Sequence, residues 1–258
     1  TQFLGDTLEK IAYEKAGIIK RGVPVVIGES VDETRPVFIT KAKENGSKIV
    51  FAEEDDDIID TKMSAQGGIY YDTKSFSRIY GELGGIYQKN NTRTILCAIK
   101  QLQKVGIDIS NEAVANGFAN VCGFTGLLGR WQKVKEHPTV ICDTGHNVGG
   151  WEYLSRQLRM QHCKQMRIVF GMVDDKDLNT VMGLLPKDAV YYFTKANNKR
   201  AIDEHEIMRL GESLHLNATC YKNVKSAYLK AVEESGDDDF IFIGGSSYIV
   251  ADFLNCCI

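Results

Sequence analysis

The run Asp143-Thr-Gly-His-Asn147 brings a carboxylate, an imidazole and a side-chain amide within five residues of one another. It follows the apolar stretch Thr139–Cys142 and precedes Gly149-Gly150, whose lack of side chains permits close backbone approach to a ligand. Ligands of open α/β sheets bind beyond the carboxyl ends of strands, so polar residues directly after a strand are where chemistry is sought. The alternative is a helix-capping turn, since Asp and Asn are favoured caps.

Three further groups have chemical potential. In Glu14-Lys15-Ala-Gly-Ile-Ile-Lys20, a lysine held in a low-dielectric site could lose its proton and react with an electrophile such as carbon dioxide. On an open helix face the same residue is a surface charge. Gly129-Arg130-Trp131 offers a guanidinium fork suited to phosphate oxygens, and Gln88-Lys-Asn-Asn91 offers an amide able to pair with a purine edge. Each is weak alone.

The elements that must hold these residues fall into two regions. Asp6–Lys20 carries Leu8, Ile11, Ala12, Ala16 and Ile19 at helical spacing, and Val23–Ile27 reads as a buried strand. A helix over Glu33–Glu44 and a strand over Lys48–Phe51 complete a βαβ rhythm, which implies a parallel sheet with covering helices. The acidic run Glu53-Glu-Asp-Asp-Asp57 reads as a solvated loop. Gly68–Asp72 and Phe76–Tyr80 read as paired edge strands, Tyr87–Lys104 and Asn111–Asn120 as helices, and Cys122–Gly126 as a linker between domains spanning 1–126 and 127–258. Beyond it, strands at Thr139–Cys142, Arg167–Phe170, Val190–Phe193, Thr219–Tyr221 and Phe240–Ile243 alternate with helical patterns, the signature of a doubly wound, Rossmann-like α/β domain.

Composition excludes several classes. The chain has 258 residues, 31 basic against 34 acidic side chains and a net charge of −3, which leaves no electrostatic footprint for nucleic acid. No apolar run approaches the roughly 18–20 residues that span a bilayer, so a membrane partner is not expected. The seven cysteines form no CxxC pair and read as buried reduced thiols. The chain starts at Thr1 without an initiator Met and almost inside a helix, which suggests a piece of something longer.

Order and spacing are what is distinctive. Leu4-Gly5-Asp6-Thr7, Ile11-Ala12-Tyr-Glu14-Lys15-Ala16-Gly17-Ile18-Ile-Lys20, Pro24-Val-Val, Gln88-x-x-Asn91, Gly129-Arg130, Asp143-x-Gly145-His146-Asn147 and Gly171-x-x-x-Asp175-Lys176-Asp177 occur in one sequence. Together they resemble the folylpolyglutamate synthase / dihydrofolate synthase family of the Mur ligase superfamily. The resemblance implies the rear part of a central ATPase domain followed by a complete C-terminal domain. It further implies an ATP-dependent ligase that phosphorylates the carboxylate of a pteroate or folate to an acyl phosphate, which the amine of L-glutamate then attacks.

By the same resemblance, Lys15 corresponds to a carbamylated lysine that helps hold Mg²⁺, the remaining ligands lying upstream of Thr1. Asn91 corresponds to the adenine-contacting asparagine, Arg130 to a phosphate contact and Asp143 to an ATP-binding carboxylate. His146 is expected to orient glutamate or the acyl phosphate. ATP and Mg²⁺ are the implied cofactors, with a monovalent cation an open addition. The substrates are dihydropteroate or folate and L-glutamate, the compartment is the cytoplasm, and the full-length enzyme is expected to be monomeric. The turn departs from the family's usual Asp-Gly-Ala-His-Asn-Pro at Thr144, Gly145 and Val148. No Gly-x-x-x-x-Gly-Lys-[Ser/Thr] phosphate loop is present either. This stretch alone is therefore expected to be inactive, and to expose surface through which it can self-associate. The alternatives are a non-catalytic nucleotide-binding module or another Mur-type amino-acid ligase.

Overall fold

The computed structural model describes residues 7–65, 67–174 and 176–257. Of the motif residues quoted above, Leu4, Gly5, Asp6 and Asp175 lie outside this range. The chain divides into two units: one runs up to Glu82 and resumes over Tyr87–Phe124, the other comprises Leu83–Ile86 and everything from Thr125 onward.

In the first unit, helix α1 (Leu8–Ala16) starts at Thr7, whose side chain accepts the Lys10 N–H. It buries Ala12 and Ala16 against Ile19 and Phe38. Strand β1 (Val25–Ile27), helix α2 (Arg35–Glu44) and strand β2 (Ile49–Phe51) form the expected βαβ unit, with β1 and β2 parallel. Strands β3 (Ile58–Met63), β4 (Ile69–Thr73) and β5 (Arg78–Gly81) make an antiparallel sheet in that order. Helices α3 (Gln88–Lys104) and α4 (Asn111–Ala119) bury Leu96, Val114 and Phe118 in one cluster with Phe76 and Ile79.

Two expectations need correction here, on the acidic run and on the thiols. The acidic run is not a solvated loop: Ala52–Glu54 is a 3-10 turn, Glu53 accepts from Ser30 and Arg35, and Asp57 is 4% exposed. Lys100 lies 2.6 Å from Asp55 and 3.8 Å from Asp57, so a cation from α3 draws the carboxylates inward. The stretch read as a linker starts within a short helix, α5 (Val121–Thr125), and contains the division between the two units, after Phe124. Of the seven thiols only Cys97 and Cys142 are buried, and Cys256 is exposed.

The second unit is built on one six-stranded sheet. Its strands are β6 (Gln132–Lys135), β7 (Thr139–Asp143), β8 (Met166–Phe170), β9 (Val190–Thr194), β10 (Asn217–Tyr221) and β11 (Phe240–Gly244). Their spatial order is β10-β9-β8-β11-β7-β6, parallel except for β6, which pairs antiparallel with β7. The connecting helices are α6 (Val148–Arg159), α7 (Leu178–Leu184), α8 (Glu204–Ser213), α9 (Val224–Glu233) and α10 (Ser247–Cys257).

Both faces of the sheet are covered, which is why its strands read as near-continuous apolar runs. On β11, Ile241 and Ile243 pack with Ala227 and Ala231 of α9 and Val250 and Phe253 of α10. Phe242, from the other face, meets the ring of Trp151 on α6 at 5.9 Å. Each such fully buried aromatic contributes roughly 1.5–3 kcal/mol of hydrophobic stabilisation. The chain order β7, β8, β9, β10 proceeds outward and then returns to insert β11 between β8 and β7. That reversal places the topological switch at the carboxyl ends of β7, β8 and β11.

Candidate functional site

Asp143 closes β7 and is 1% exposed. Its Oδ1 accepts the Gly145 N–H at 2.8 Å and its Oδ2 the Trp131 N–H at 2.7 Å. One buried carboxylate thus joins the turn that follows β7 to the segment that precedes β6. Its charge also acts on the adjoining strand residue: burial first, and the Asp143 carboxylate second, push the Cys142 thiol up to about 12.

The segment preceding β6 is shaped by Gly129, at φ +70°, and Trp131, at φ +48°. A Cβ on Gly129 would fall 2.7 Å from Thr144 Cγ2 and 2.9 Å from Val250 Cγ1, so both space and backbone conformation demand glycine there. The Thr144 N–H donates to the Gly129 carbonyl at 2.9 Å, and Arg130 Nη1 donates to Thr144 Oγ1. His146 Nδ1 lies 3.1 Å from the Thr144 carbonyl oxygen. A carbonyl oxygen only accepts, so Nδ1 carries the proton, and in the neutral ring Nε2 is the acceptor. Asn147 caps α6 by accepting the Gly150 N–H at 2.8 Å. The turn therefore caps a helix with one of its residues while grouping Arg130, Asp143 and His146 with the others.

Beside His146 opens a cavity of ≈ 180 Å³, lined also by Lys176, Arg200, Ser246, Ser247 and Tyr248. It lies at the switch point, where the chain leaves β7, β8 and β11. An isolated bridge between Val173 and Ala201 ties the segment after β8 to the one after β9 and brings Arg200 to the cavity wall. Arg200 Nε is 3.7 Å from Asp174 Oδ1. Ser246 is 1% exposed, and its Oγ accepts the Ile249 N–H, which caps the first turn of α10. Two cations, three hydroxyl-bearing residues and the amino end of an eleven-residue helix suit this cavity to an anionic, carboxylate-bearing molecule.

Sequence reasoning does not single out Arg200, Ser246, Ser247 or Tyr248. The signal it could have used is Gly244-Gly245-Ser246-Ser247, a small polar run between the apolar β11 and a helix. Arg200 carries no local signal, because it reaches the wall only through the bridge beside it, Val173 to Ala201.

Lys15 and Asn91 belong to the first unit. Lys15 is exposed in the last turn of α1. Asn91 is exposed in the first turn of α3, and its Nδ2 donates to Oε1 of the buried Gln88 at 2.9 Å. Among the described residues, no group of three or more His, Cys, Asp or Glu side chains could hold a metal ion, and no helix is long and apolar enough to cross a membrane.

Residues 129–247 match the family of the Mur ligase glutamate ligase domain. The chain is 26% identical to the dihydrofolate synthase/folylpolyglutamate synthase of Bacillus subtilis, covering 96% of this chain and 58% of that protein. It is 27% identical to the Escherichia coli protein of the same description, covering 97% and 56%. The Mycobacterium tuberculosis folylpolyglutamate synthase complexed with ADP and AMPPCP superposes with a TM-score of 0.80 at 22% identity, over 100% of this chain and 62% of that one. The Yersinia pestis bifunctional enzyme complexed with AMPPNP and Mn ion superposes with a TM-score of 0.74 at 25% identity, over 99% and 58%. The chain thus spans somewhat more than half the length of the relatives it matches. Residues 129–247 thus resemble the Mur ligase glutamate ligase domain, and the chain as a whole is similar to part of the folylpolyglutamate and dihydrofolate synthases.

Proposed function

We propose that the protein carrying this chain is an ATP-dependent ligase that joins L-glutamate to dihydropteroate, to folate (poly)glutamates, or to both, in the cytoplasm. The observation that carries the reading is the turn after β7, which holds Arg130 through Thr144 and sets His146 in the wall of a cavity that also includes Lys176 and Arg200. A carboxylate is a poor electrophile until phosphorylation by ATP supplies a leaving group. The amine of glutamate then attacks the acyl carbon and phosphate departs. Catalysis of this kind consists largely of positioning and charge stabilisation.

In this reading residues 1–126 are the rear part of a central ATPase domain, and residues 127–258 are the C-terminal domain. Arg130 meets phosphate oxygens, Asn91 meets the adenine edge, and Asp143 supports nucleotide binding by holding the Arg130 segment. The cavity takes the carboxylates of glutamate, and His146 Nε2 accepts a proton or hydrogen bond from its ammonium group. Relatives solved with ADP, with AMPPNP and Mn, and with L-glutamate support the choice of ligands.

The described residues do not by themselves fit a Mg²⁺ shell. Lys15, as a carbamate, would give an oxygen donor of the type Mg²⁺ takes, and among the described residues no cluster of three candidate ligands accompanies it.

The test is ligation by the protein at its full natural length, with ATP, Mg²⁺, dihydropteroate and L-glutamate and product identified by mass. Formation of the glutamyl product, with ADP release dependent on both acceptor and glutamate, is the expected result. Nucleotide binding without any ligated product would favour the non-catalytic module, and product with a different amino acid would favour another Mur-type ligase. Residues 1–258 alone are expected to give no product above background.

A further inference from the structure

We propose that Thr144 is a positioning residue, whose side-chain hydroxyl pre-sets the Arg130 guanidinium while its main chain orients His146. The first half rests on the reading of Arg130 as a phosphate contact. Thr144 touches both groups: Oγ1 accepts from Arg130 Nη1, and the carbonyl oxygen accepts from His146 Nδ1.

The residue itself is held firmly. Its N–H donates to the Gly129 carbonyl, and Asp143 fixes the adjoining backbone through Trp131 and Gly145. The missing Cβ of Gly129 leaves the space that the Thr144 Cγ2 methyl fills. A β-branched side chain has few χ1 choices, and with its methyl seated against Gly129 the hydroxyl is directed to Arg130. A glycine at this position, as in the pattern Asp-Gly-Ala-His-Asn-Pro, would provide neither methyl nor hydroxyl.

The energetic reason is pre-organisation. A free arginine side chain samples many rotamers, and immobilising it on binding lowers affinity. One of its five N–H donors spent on Thr144 leaves four for an anion, with the fork already aimed.

Three variants separate this role from packing. Thr144→Val keeps the shape and removes the hydroxyl, Thr144→Ser keeps the hydroxyl and removes the methyl, and Thr144→Ala is the substitute should the valine variant fail to fold. In ¹⁵N-labelled protein at low temperature, restricted rotation should give resolved Nη signals for Arg130 in the native chain and in Thr144→Ser, and averaged signals in Thr144→Val. Calorimetric titration with ATP and Mg²⁺ should show affinity about threefold to tenfold weaker for Thr144→Val, near-native for Thr144→Ser and weakest for Arg130→Ala.

Averaged Arg130 signals in the native chain, or native behaviour of Thr144→Val in the guanidinium spectrum, would overturn the positioning role. A guanidinium freed by Thr144→Val, combined with nucleotide affinity indifferent to Arg130→Ala, would leave that role standing and remove the phosphate reading of Arg130 instead.

Discussion

Trp131 donates its backbone N–H to Asp143 Oδ2 at 2.7 Å, and this bond holds a left-handed residue against the end of β7. A φ of +48° at a bulky residue is unfavourable by roughly 1–2 kcal/mol. The surroundings impose it: the Trp131 ring is 6% exposed, with centroids 5.8 Å from Phe242 and 6.2 Å from Phe240. Asp143→Asn would set an amide nitrogen against one of two backbone N–H groups, a donor facing a donor. The expected loss is about 1–3 kcal/mol of stability, read as a lower urea midpoint by tryptophan fluorescence. An unchanged midpoint would mean the carboxylate does not hold the segment. It follows that loss of nucleotide binding in Asp143→Ala is no clean sign of a ligand contact, and Arg130→Ala is the discriminating substitution.

Gly145 stands where the resembling pattern has alanine, and the packing accounts for the difference. A Cβ there would lie 2.4 Å from Leu154 Cδ1 and 3.2 Å from Asp143 Oδ1. Leu154 is 1% exposed on α6 and cannot swing out to solvent. Gly145→Ala should therefore cost about 1–3 kcal/mol as an overpacking substitution, and much less in a Leu154→Ala background. Equal costs in the two backgrounds, measured as a double-mutant cycle, would refute the clash as the cause.

The parallel strands of the second unit are legible because both of their faces are covered. Every residue of β11, Phe240–Gly244, is buried, and such runs stand out from sequence alone. The strand β6 escapes notice for the opposite reason: Gln132-Lys-Val-Lys135 is a polar edge strand with no apolar alternation to detect. In β3 the register shifts between Ile58 and Asp60, which breaks the period of two. The turn Asp143–Asn147 can be singled out because it follows a strand. That Asp143 serves the Arg130 segment cannot be read in advance, since it depends on residues twelve positions earlier returning to the same strand end.

The acidic run gives the first unit an acid limit. The Ser30 hydroxyl, followed by the Ser30 N–H and the Arg35 guanidinium, holds the Glu53 carboxyl below its ordinary value of 4.5. A lowered folded-state value means the stabilisation is fully present above about pH 4.5 and disappears as pH falls through the lower, folded value. Glu53→Gln should remove this part of the acid sensitivity. Hydrogen exchange at Ser30 and through α2 should accelerate below pH 4.5 in the native chain and respond less to pH in the variant. Equal acid responses would place the acid limit in other groups.

Cys142 supplies a local probe of the strand end itself. Its thiol, fully buried and pushed up to about 12, is almost entirely protonated at pH 8, and the thiolate is the reactive form. Cys256 is exposed, its thiol donating to the Asp252 carbonyl at 2.7 Å. Iodoacetamide at pH 8 should modify Cys256 within minutes and leave Cys142 untouched until β7 opens. Because burial is the larger cause of the shift, Asp143→Asn should not by itself expose the thiol; any faster modification in that variant reports more frequent opening. A ligand that binds only the closed strand end must slow that opening by mass action. ATP with Mg²⁺ should therefore protect Cys142 in the native chain and protect it less in Arg130→Ala. Protection indifferent to the arginine would show that the nucleotide engages this unit without it.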